Sequence, residues 1–383
     1  MDDGALEALG PPAAVPSAGP VTVPDHRPGG DFTVGVEEEL MLVDDEGVLL
    51  GRAAVDVVDR LRASDPAAGI VTGEIYADQV ELNSLVCAGA EDVLRSVRVL
   101  RGRLCAAGAR TMAVGVHPTA ALGTAVLTTS PRYDAILEEY AGLLRTPTAA
   151  LQVHVGVPDA TTAMLAYRGL RARMPLLRAL AAASPFWHGV DSGLASTRSA
   201  ILRSYPRTTV PPLLRSWEEY VARTTALMRA AEASDHTFVW WDLRPRPLLG
   251  TLEVRVMDAQ WSLSRVGGLT ALVQGIARRT ATCPDRGDLS DDVLAVNDHQ
   301  VARHGLEARV ADLDGVVRPL REVAARVLAE VRAELAPDGL DAPLDDLDEL
   351  LAGQTEPERQ RRLVASDGLP GLLADLVGRT ARG

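Results

Sequence analysis

The sequence predicts an α+β fold in which a mostly antiparallel β-sheet carries helices packed on one face. From Phe32 to about residue 260, short segments with a two-residue hydrophobic period alternate with helical stretches. The strands keep no regular strand-helix-strand rhythm, and no Gly-rich phosphate loop of Walker or dinucleotide type follows any of them, which argues against a doubly wound parallel sheet. Beyond residue 262 the pattern turns almost wholly helical.

Residues 1–30 are rich in Pro, Gly and Ala and nearly devoid of large apolar side chains, so they read as a disordered tail. Residues 31–383 read as a single domain with a mainly helical C-terminal third, and 47% hydrophobic residues suffice for its core. The first strand runs from Phe32 to Val43 and the second from Asp78 to Val86. Helices are expected over 90–107, 132–145, 160–183 and 214–233, and further strands over Leu151–Val157 and Thr251–Met257. Weaker strands fall at Met112–Val116 and Val239–Arg244. Val316 to Leu335 forms the clearest amphipathic helix, stopped by Pro337-Asp338-Gly339.

Net charge of −13 without a Lys/Arg cluster argues against nucleic-acid binding. No apolar run is long enough for a signal peptide or a membrane span, so a cytoplasmic protein is expected. Cys87, Cys105 and Cys283 form no CxxC pair and read as small buried hydrophobes in a reducing compartment.

Alternate side chains of a strand point to opposite sides of the sheet. In the first strand Phe32, Val34, Val36, Leu40 and Leu42 share one face and Glu37 and Glu39 the other, while Glu38 is turned toward the apolar side. In the second, Val80 and Leu82 oppose Gln79, Glu81 and Asn83. Leu151, Val153, Val155 and Val157 oppose Gln152 and His154; Leu252, Val254 and Val256 oppose Glu253 and Arg255. In the weaker strands, Met112, Val114 and Val116 oppose His117, and Val239, Trp241 and Leu243 oppose Asp242 and Arg244.

A solvated outer face would favour Lys, Thr and Ser, yet these strands offer Glu, His, Gln and Arg, and the chain contains no lysine. Gathered carboxylates repel and raise one another's pKa, so they call for a cation. Oxygen donors with one imidazole suit Mg²⁺ or Mn²⁺ rather than Zn²⁺, and Mg²⁺ commonly bridges to nucleotide phosphates. Arg244 and Arg255 would supply positive charge for phosphoryl transfer.

The segments GVEEELMLVD (35–44), QVELN (79–83), LQVHVGV (151–157) and WWDLRPRPLLGTLEVRVMD (240–258) resemble the YbdK-type carboxylate-amine ligases of the glutamate-cysteine ligase type 2 family. GVHP (115–118), ASPFWHGVDSGLASTRS (183–199) and HGLEARV (304–310) extend the resemblance from Phe32 to near the C-terminus. It implies a curved, glutamine-synthetase-like sheet with ATP and divalent metals on its open face. It makes Glu37, Glu39, Glu81, His154 and Glu253 the metal ligands, Arg255 a phosphate contact, and Arg198 and Arg244 contacts to ATP phosphates or a substrate carboxylate.

The resemblance further implies an amide-forming reaction on small-molecule carboxylate and amine substrates through an acyl phosphate, weak glutamate-cysteine ligase activity, and a homodimer. The absence of a Ser-His-Asp or Cys-His signature agrees with a reaction needing no protein nucleophile. The competing readings are a phosphagen-type kinase on the same fold and a non-catalytic Mg-nucleotide-binding module. Arg207 reads as a phosphate contact or a surface charge, His117 as a supporting or strand-end histidine, and Glu74 as a substrate contact or a solvated residue.

Overall fold

A computed structural model describes residues 22–61, 67–123, 125–140, 146–284 and 287–383. Among these the strands are β1 (Val34–Leu42), β2 (Ile70–Gly73), β3 (Gln79–Asn83), β4 (Thr111–Met112), β5 (Ala150–Gly156), β6 (Phe186–Trp187), β7 (Val190–Asp191), β8 (Leu243–Arg246), β9 (Thr251–Asp258), β10 (Arg309–Ala311) and β11 (Val317–Pro319). The helices are α1 (Ala53–Leu61), α2 (Ala90–Ala106), α3 (Pro131–Tyr140), α4 (Ala160–Ala181), α5 (Thr197–Leu202), α6 (Trp217–Ala230), α7 (Leu263–Thr282), α8 (Asp291–His304), α9 (Leu320–Leu335), α10 (Asp345–Ala352) and α11 (Glu356–Arg382). The main sheet has the order β2-β3-β1-β5-β9-β8, with β4 paired to the end of β1. Every pairing in it is antiparallel.

The two-residue period of β1 decides how the sheet is oriented. Val34, Val36, Leu40 and Leu42 are buried, while Gly35, Glu37 and Glu39 stay partly open on the other side. The apolar face packs against α2, α4 and α7. Each fully buried Val or Leu there contributes about 1.5–3 kcal/mol. Asp159 caps α4 by accepting from Thr162 N–H, and Ser262 caps α7 by accepting from Arg265 N–H, so both helices start directly after a strand of the sheet.

Glu38 confirms the parity: it lies on the helix side with no exposed surface. Arg101 of α2 forks onto it, Nε to Oε2 at 2.8 Å and Nη2 to Oε1 at 2.5 Å, and spends further donors on Gln260 and Trp261 carbonyls. A buried charge is tolerated when paired and hydrogen-bonded in this way.

Several expectations are corrected. Strand geometry ends at Met112, after which Val114 and Val116 are buried in irregular backbone. The strand expected from Val239 begins only at Leu243, because a tight turn over His236–Phe238 precedes it. The helix expected from Val316 begins at Leu320, since Val317–Pro319 pairs with Arg309–Ala311 around the left-handed Gly315. The helix expected from residue 214 begins at Trp217, capped by Ser216. Only Cys87 is buried; Cys105 and Cys283 are exposed near helix ends.

Most of the expected tail, residues 1–21, lies outside the described residues. Its last part is not free: Arg27 N–H donates to Pro247 O and Gly29 N–H to Val157 O. Gly250 takes a left-handed φ of 66° in the β8–β9 turn, and a Cβ there would lie 2.1 Å from Arg27 O. The tail thus docks where two glycine backbones meet.

Candidate active site

The strand register arranges the polar face as a grid. Glu39 stands opposite Glu81, and Glu81 opposite Thr72. Glu37 stands between Asn83 and Gln152. His154 lies between Gly35 and Glu253, and Glu253 between His154 and Arg244. A register irregularity between Leu151 and Val153 displaces β9, so that Arg255 Nη1 reaches Gln152 Oε1.

Two donor groups result, Glu37-His154-Glu253 and Glu39-Glu74-Glu81, each with its ligand atoms within 4.8 Å of one another. The strands thus bring together every residue expected to hold metal, and the turn after β2 adds Glu74. In the first group His154 Nδ1 is hydrogen-bonded to Thr251 Oγ1 at 2.9 Å. Nε2 lies 3.1 Å from Glu37 Oε1 and 3.8 Å from Glu253 Oε1, off any hydrogen-bonding axis. With a proton on Nδ1 directed to Thr251, Nε2 would be left open to ligate a cation, as a metal-binding imidazole requires.

Glu253 is wholly buried and is gripped by arginines: Arg244 Nε at 2.5 Å, Arg255 Nη1 at 2.6 Å and Arg246 Nη1 at 3.3 Å. Burial pushes its pKa up, but these guanidinium groups outweigh burial and hold the carboxyl well below the usual range. For Glu37, too, burial raises the pKa, and the adjacent His154 and Arg255 bring it below its ordinary value. Both stay anionic.

The second group behaves oppositely. Burial, the largest cause, raises Glu39 to about 7, helped by Glu81 and opposed by Arg198. Burial and the charge of Glu39 raise Glu74 to about 7, and burial with Glu74 and Glu37 raises Glu81 well above the usual range. Glu39 accepts from Ala150 N–H at 2.8 Å and Gln152 Nε2 at 2.6 Å; Glu81 accepts from Asn83 Nδ2 at 2.9 Å. These neutral donors do not balance three converging carboxylates, and a hard divalent cation would. The donor chemistry therefore fits Mg²⁺ or Mn²⁺.

The grid floors a cavity of about 440 Å³ roofed by α3, α5 and the segments 205–208 and 237–242. Arg198 of α5 lines it, is 4% exposed, and donates from Nη2 to Arg255 O at 3.2 Å. Among the described residues its Nε and Nη1 have no partner, although a buried guanidinium is ordinarily satisfied on all sides. Such an arginine is prepared for a carboxylate or phosphate. Asp258 fixes the loop that carries it, accepting from Ala183 N–H at 2.9 Å, Ser184 Oγ at 2.7 Å and Ser196 Oγ at 2.9 Å.

Other expected residues sort themselves by their partners. Arg244 spends Nε and Nη2 on Glu253 and Nη1 on Thr237 O and Val239 O, so it orients Glu253 rather than offering a free fork to a ligand. Arg207 is not a surface charge: it is 2% exposed, stacked among Tyr140, Phe238 and Trp240. His117 is structural, its Nδ1 accepting from Thr119 and Ala120 N–H while Nε2 meets Gly47 O at 2.7 Å.

The sequence left Glu74 undecided, placed Gln152 on the polar face without giving it a role, and passed over Arg246 and Asp258. Gln152 and Arg246 carried a usable signal, since they share the parity of His154 and Arg244. Asp258 carried none, because its parity places it with Val254 and Val256.

The antiparallel sheet backed by helices, with carboxylates and arginines gathered on its other face, has counterparts among solved structures. The fold is similar to that of a glutamate-cysteine ligase from Francisella tularensis solved in complex with AMP, with a TM-score of 0.70, 13% identity, and coverage of 94% of this chain and 89% of that one. It is also similar to a bifunctional glutathione synthetase from Pasteurella multocida, with a TM-score of 0.65, 14% identity, and coverage of 92% of this chain and 52% of that one.

In sequence, residues 33–368 match glutamate-cysteine ligase family 2. A relative from Rubrobacter xylanophilus named "Putative glutamate--cysteine ligase 2-3" is 35% identical over 354 residues, 88% of this chain and 93% of its own length. A "Putative glutamate--cysteine ligase 2" from Thermobifida fusca is 31% identical over 368 residues, 92% of this chain and 91% of its own length. The chain belongs to glutamate-cysteine ligase family 2. It is an ATP-dependent ligase of the carbon-nitrogen bond-forming class.

Proposed function

We propose that this protein joins a small-molecule carboxylate to an amine through an acyl phosphate, with glutamate-cysteine ligation as a weak activity. The observation that carries the reading is the convergence of two carboxylate-rich donor groups and a buried, unpartnered Arg198 on one cavity.

Glu37, His154 and Glu253 would hold one divalent cation, and Glu39, Glu74 and Glu81 another, Mg²⁺ or Mn²⁺. Cations held there would supply positive charge to offset that of the triphosphate. Arg244 and Arg246 keep the Glu253 carboxylate ionised and aimed. Arg255, reaching the cavity from the same strand, steadies charge on the transferred phosphoryl group. Arg198 orients an anionic substrate group with its free Nε and Nη1.

A carboxylate oxygen of the acid displaces ADP from the γ-phosphorus. The amine nitrogen then attacks the acyl carbon, phosphate departs, and the ammonium proton is lost to solvent as the amide forms.

Residues 31–383 act as a single catalytic domain in this reading, working in the cytoplasm as a homodimer, which sedimentation would check. No helix among the described residues is long and apolar enough to cross a membrane.

Phosphate release from Mg·ATP, measured against panels of acids and amines with mass detection of the product, tests the proposal. ATP consumption that requires both substrates and yields an amide is expected. A phosphorylated guanidine as product, or turnover indifferent to the amine, would overturn it.

A further inference from the structure

Ahead of β1, residues 22–33 cross the end of the main sheet as a strap without strand geometry. Residues 33–368 are the part that matches the family, so nearly all of the strap precedes it and its role rests on its own contacts.

Those contacts converge on one corner of the sheet. Arg27 N–H donates to Pro247 O, inside the β8–β9 turn. Gly29 N–H donates to Val157 O at 3.0 Å, and His26 Nε2 meets the same carbonyl at 3.3 Å. Phe32 N–H donates to Gly156 O at 3.0 Å, and Gly156 N–H donates to Thr33 O at 2.7 Å. Val157 N–H donates in turn to Gly250 O at 2.9 Å, which closes a ring of strap, β5 end and turn.

The fit is backbone on backbone. A Cβ on Gly29 would lie 2.1 Å from Gly250 O, and one on Gly156 would lie 2.3 Å from Gly29 O, so a side chain at either position would part the layers. The His26 ring adds an edge-to-face contact with Trp217 of α6, centroids 5.3 Å apart, and Val23 packs against the main core.

What the strap grips matters to the site. Arg246 and Thr251 flank the β8–β9 turn and stand opposite each other in its ladder, and Thr251 also stands opposite Gly156. Both side chains serve the first donor group: Arg246 Nη1 reaches Glu253 at 3.3 Å, and Thr251 Oγ1 is the partner of His154 Nδ1 at 2.9 Å. The groups that aim the carboxylate and the imidazole are therefore anchored on a turn that the strap holds.

Resting on the reading that Glu37, His154 and Glu253 hold a divalent cation, we propose that residues 26–33 position this group by fixing the β8–β9 turn, and with it the Thr251 hydroxyl that sets the His154 imidazole. His26 and Gly29 are positioning residues in this scheme. The outer partners of a metal-bound imidazole shift metal affinity by about tenfold to a hundredfold. The Glu39-Glu74-Glu81 group is supported from β3 and from Ala150 and Gln152 of β5 instead, so the effect of the strap is confined to one of two cation classes.

The test is Mn²⁺ binding to the full chain without nucleotide, read from the electron paramagnetic resonance signal of the free ion. Two classes of bound ion are expected, and Glu37→Gln marks the one that belongs to the first group. Gly29→Val should weaken that class by about tenfold or more and leave the other unchanged. Thr251→Val should weaken the same class, and Thr251→Ser, which keeps the hydroxyl, should not. Gly29→Val added to Thr251→Val should cost little more, since both act through one hydroxyl. His26→Ala, at a half-buried position, should weaken the same class and serves where Gly29→Val does not fold.

Equal weakening of both classes, or fully additive losses in the double variant, would make the strap a general stabiliser and overturn the proposal. Unchanged affinity in Gly29→Val and His26→Ala, with Glu37→Gln and Thr251→Val weakened, overturns it while the cation reading stands. No bound Mn²⁺, or binding that survives Glu37→Gln and Thr251→Val, overturns the cation reading and the strap's role with it.

Discussion

Glu39, Glu74 and Glu81 are acids that the fold makes reluctant to ionise, whereas Glu253 is held ionised by three arginines. That contrast has a pH signature. Glu39 and Glu74 are raised from 4.5 to about 7 in the folded chain, so between those values the native state binds more protons than the unfolded one. Metal-free protein should therefore lose stability as pH rises from about 4.5 to about 7 through these groups. Mg²⁺ should restore it most at the alkaline end. Thermal midpoints from pH 5 to 8, with Mg²⁺ or with chelator, check this; a midpoint rising with pH in chelator, traceable to these residues by Glu39→Gln, would contradict it. On activity, Glu81→Gln should cost on the order of 10²-fold or more with the Mg²⁺ requirement shifted to higher concentration, since it removes one of three oxygen ligands. Arg244→Lys should also impair turnover, because a point charge cannot fork onto Glu253 and both carbonyls at once.

At the scale of the element, β1 explains why so much of the site was legible beforehand. A strand allows two faces only, so GVEEE had to send Glu37 and Glu39 one way and Glu38 the other, and Arg101 meets Glu38 where parity puts it. Arg101→Ala leaves that carboxylate buried and unpaired, and should destabilise the protein by about 3–5 kcal/mol. Glu38→Leu combined with Arg101→Leu should recover much of the loss, measured by denaturant unfolding. The rest was illegible for equally physical reasons. Glu74 lies in a turn, where no parity applies. The roof of the cavity is tertiary: nothing local in α3 says that Arg132 will find Phe238 or that Glu139 will find Arg207. The weak strands expected over 112–116 and 239–244 kept their apolar pattern but pair only at Met112 and from Leu243 on, because burial without a pairing partner satisfies the same alternation elsewhere.

At the scale of the whole molecule, the site is assembled from strands whose order in the sheet is not their order in the chain, and it exists only when all of them pair. The C-terminal helix is part of that assembly: Thr380 Oγ1 accepts from Ala113 N–H at 3.0 Å, and Gln360 Nε2 donates to Ala183 O at 3.0 Å. It also buries Leu372, Leu373 and Leu376. At about 1.5–3 kcal/mol per side chain, these three match much of the 5–15 kcal/mol that separates a native chain from its unfolded state. Deleting residues 369–383 should thus abolish cooperative folding rather than trim activity. The same reasoning links ligand to fold, because a ligand that binds only the assembled sheet stabilises all of it. Mg²⁺ with a non-hydrolysable ATP analogue at a hundredfold excess over Kd should add about 2.7 kcal/mol, a rise of a few degrees in Tm. Glu39→Gln should uncouple the two, raising the midpoint of the unliganded protein by relieving repulsion within the cluster while removing most of the ligand-induced rise. A variant in which the ligand-induced rise survived intact would mean that the cation does not sit on the Glu39-Glu74-Glu81 group.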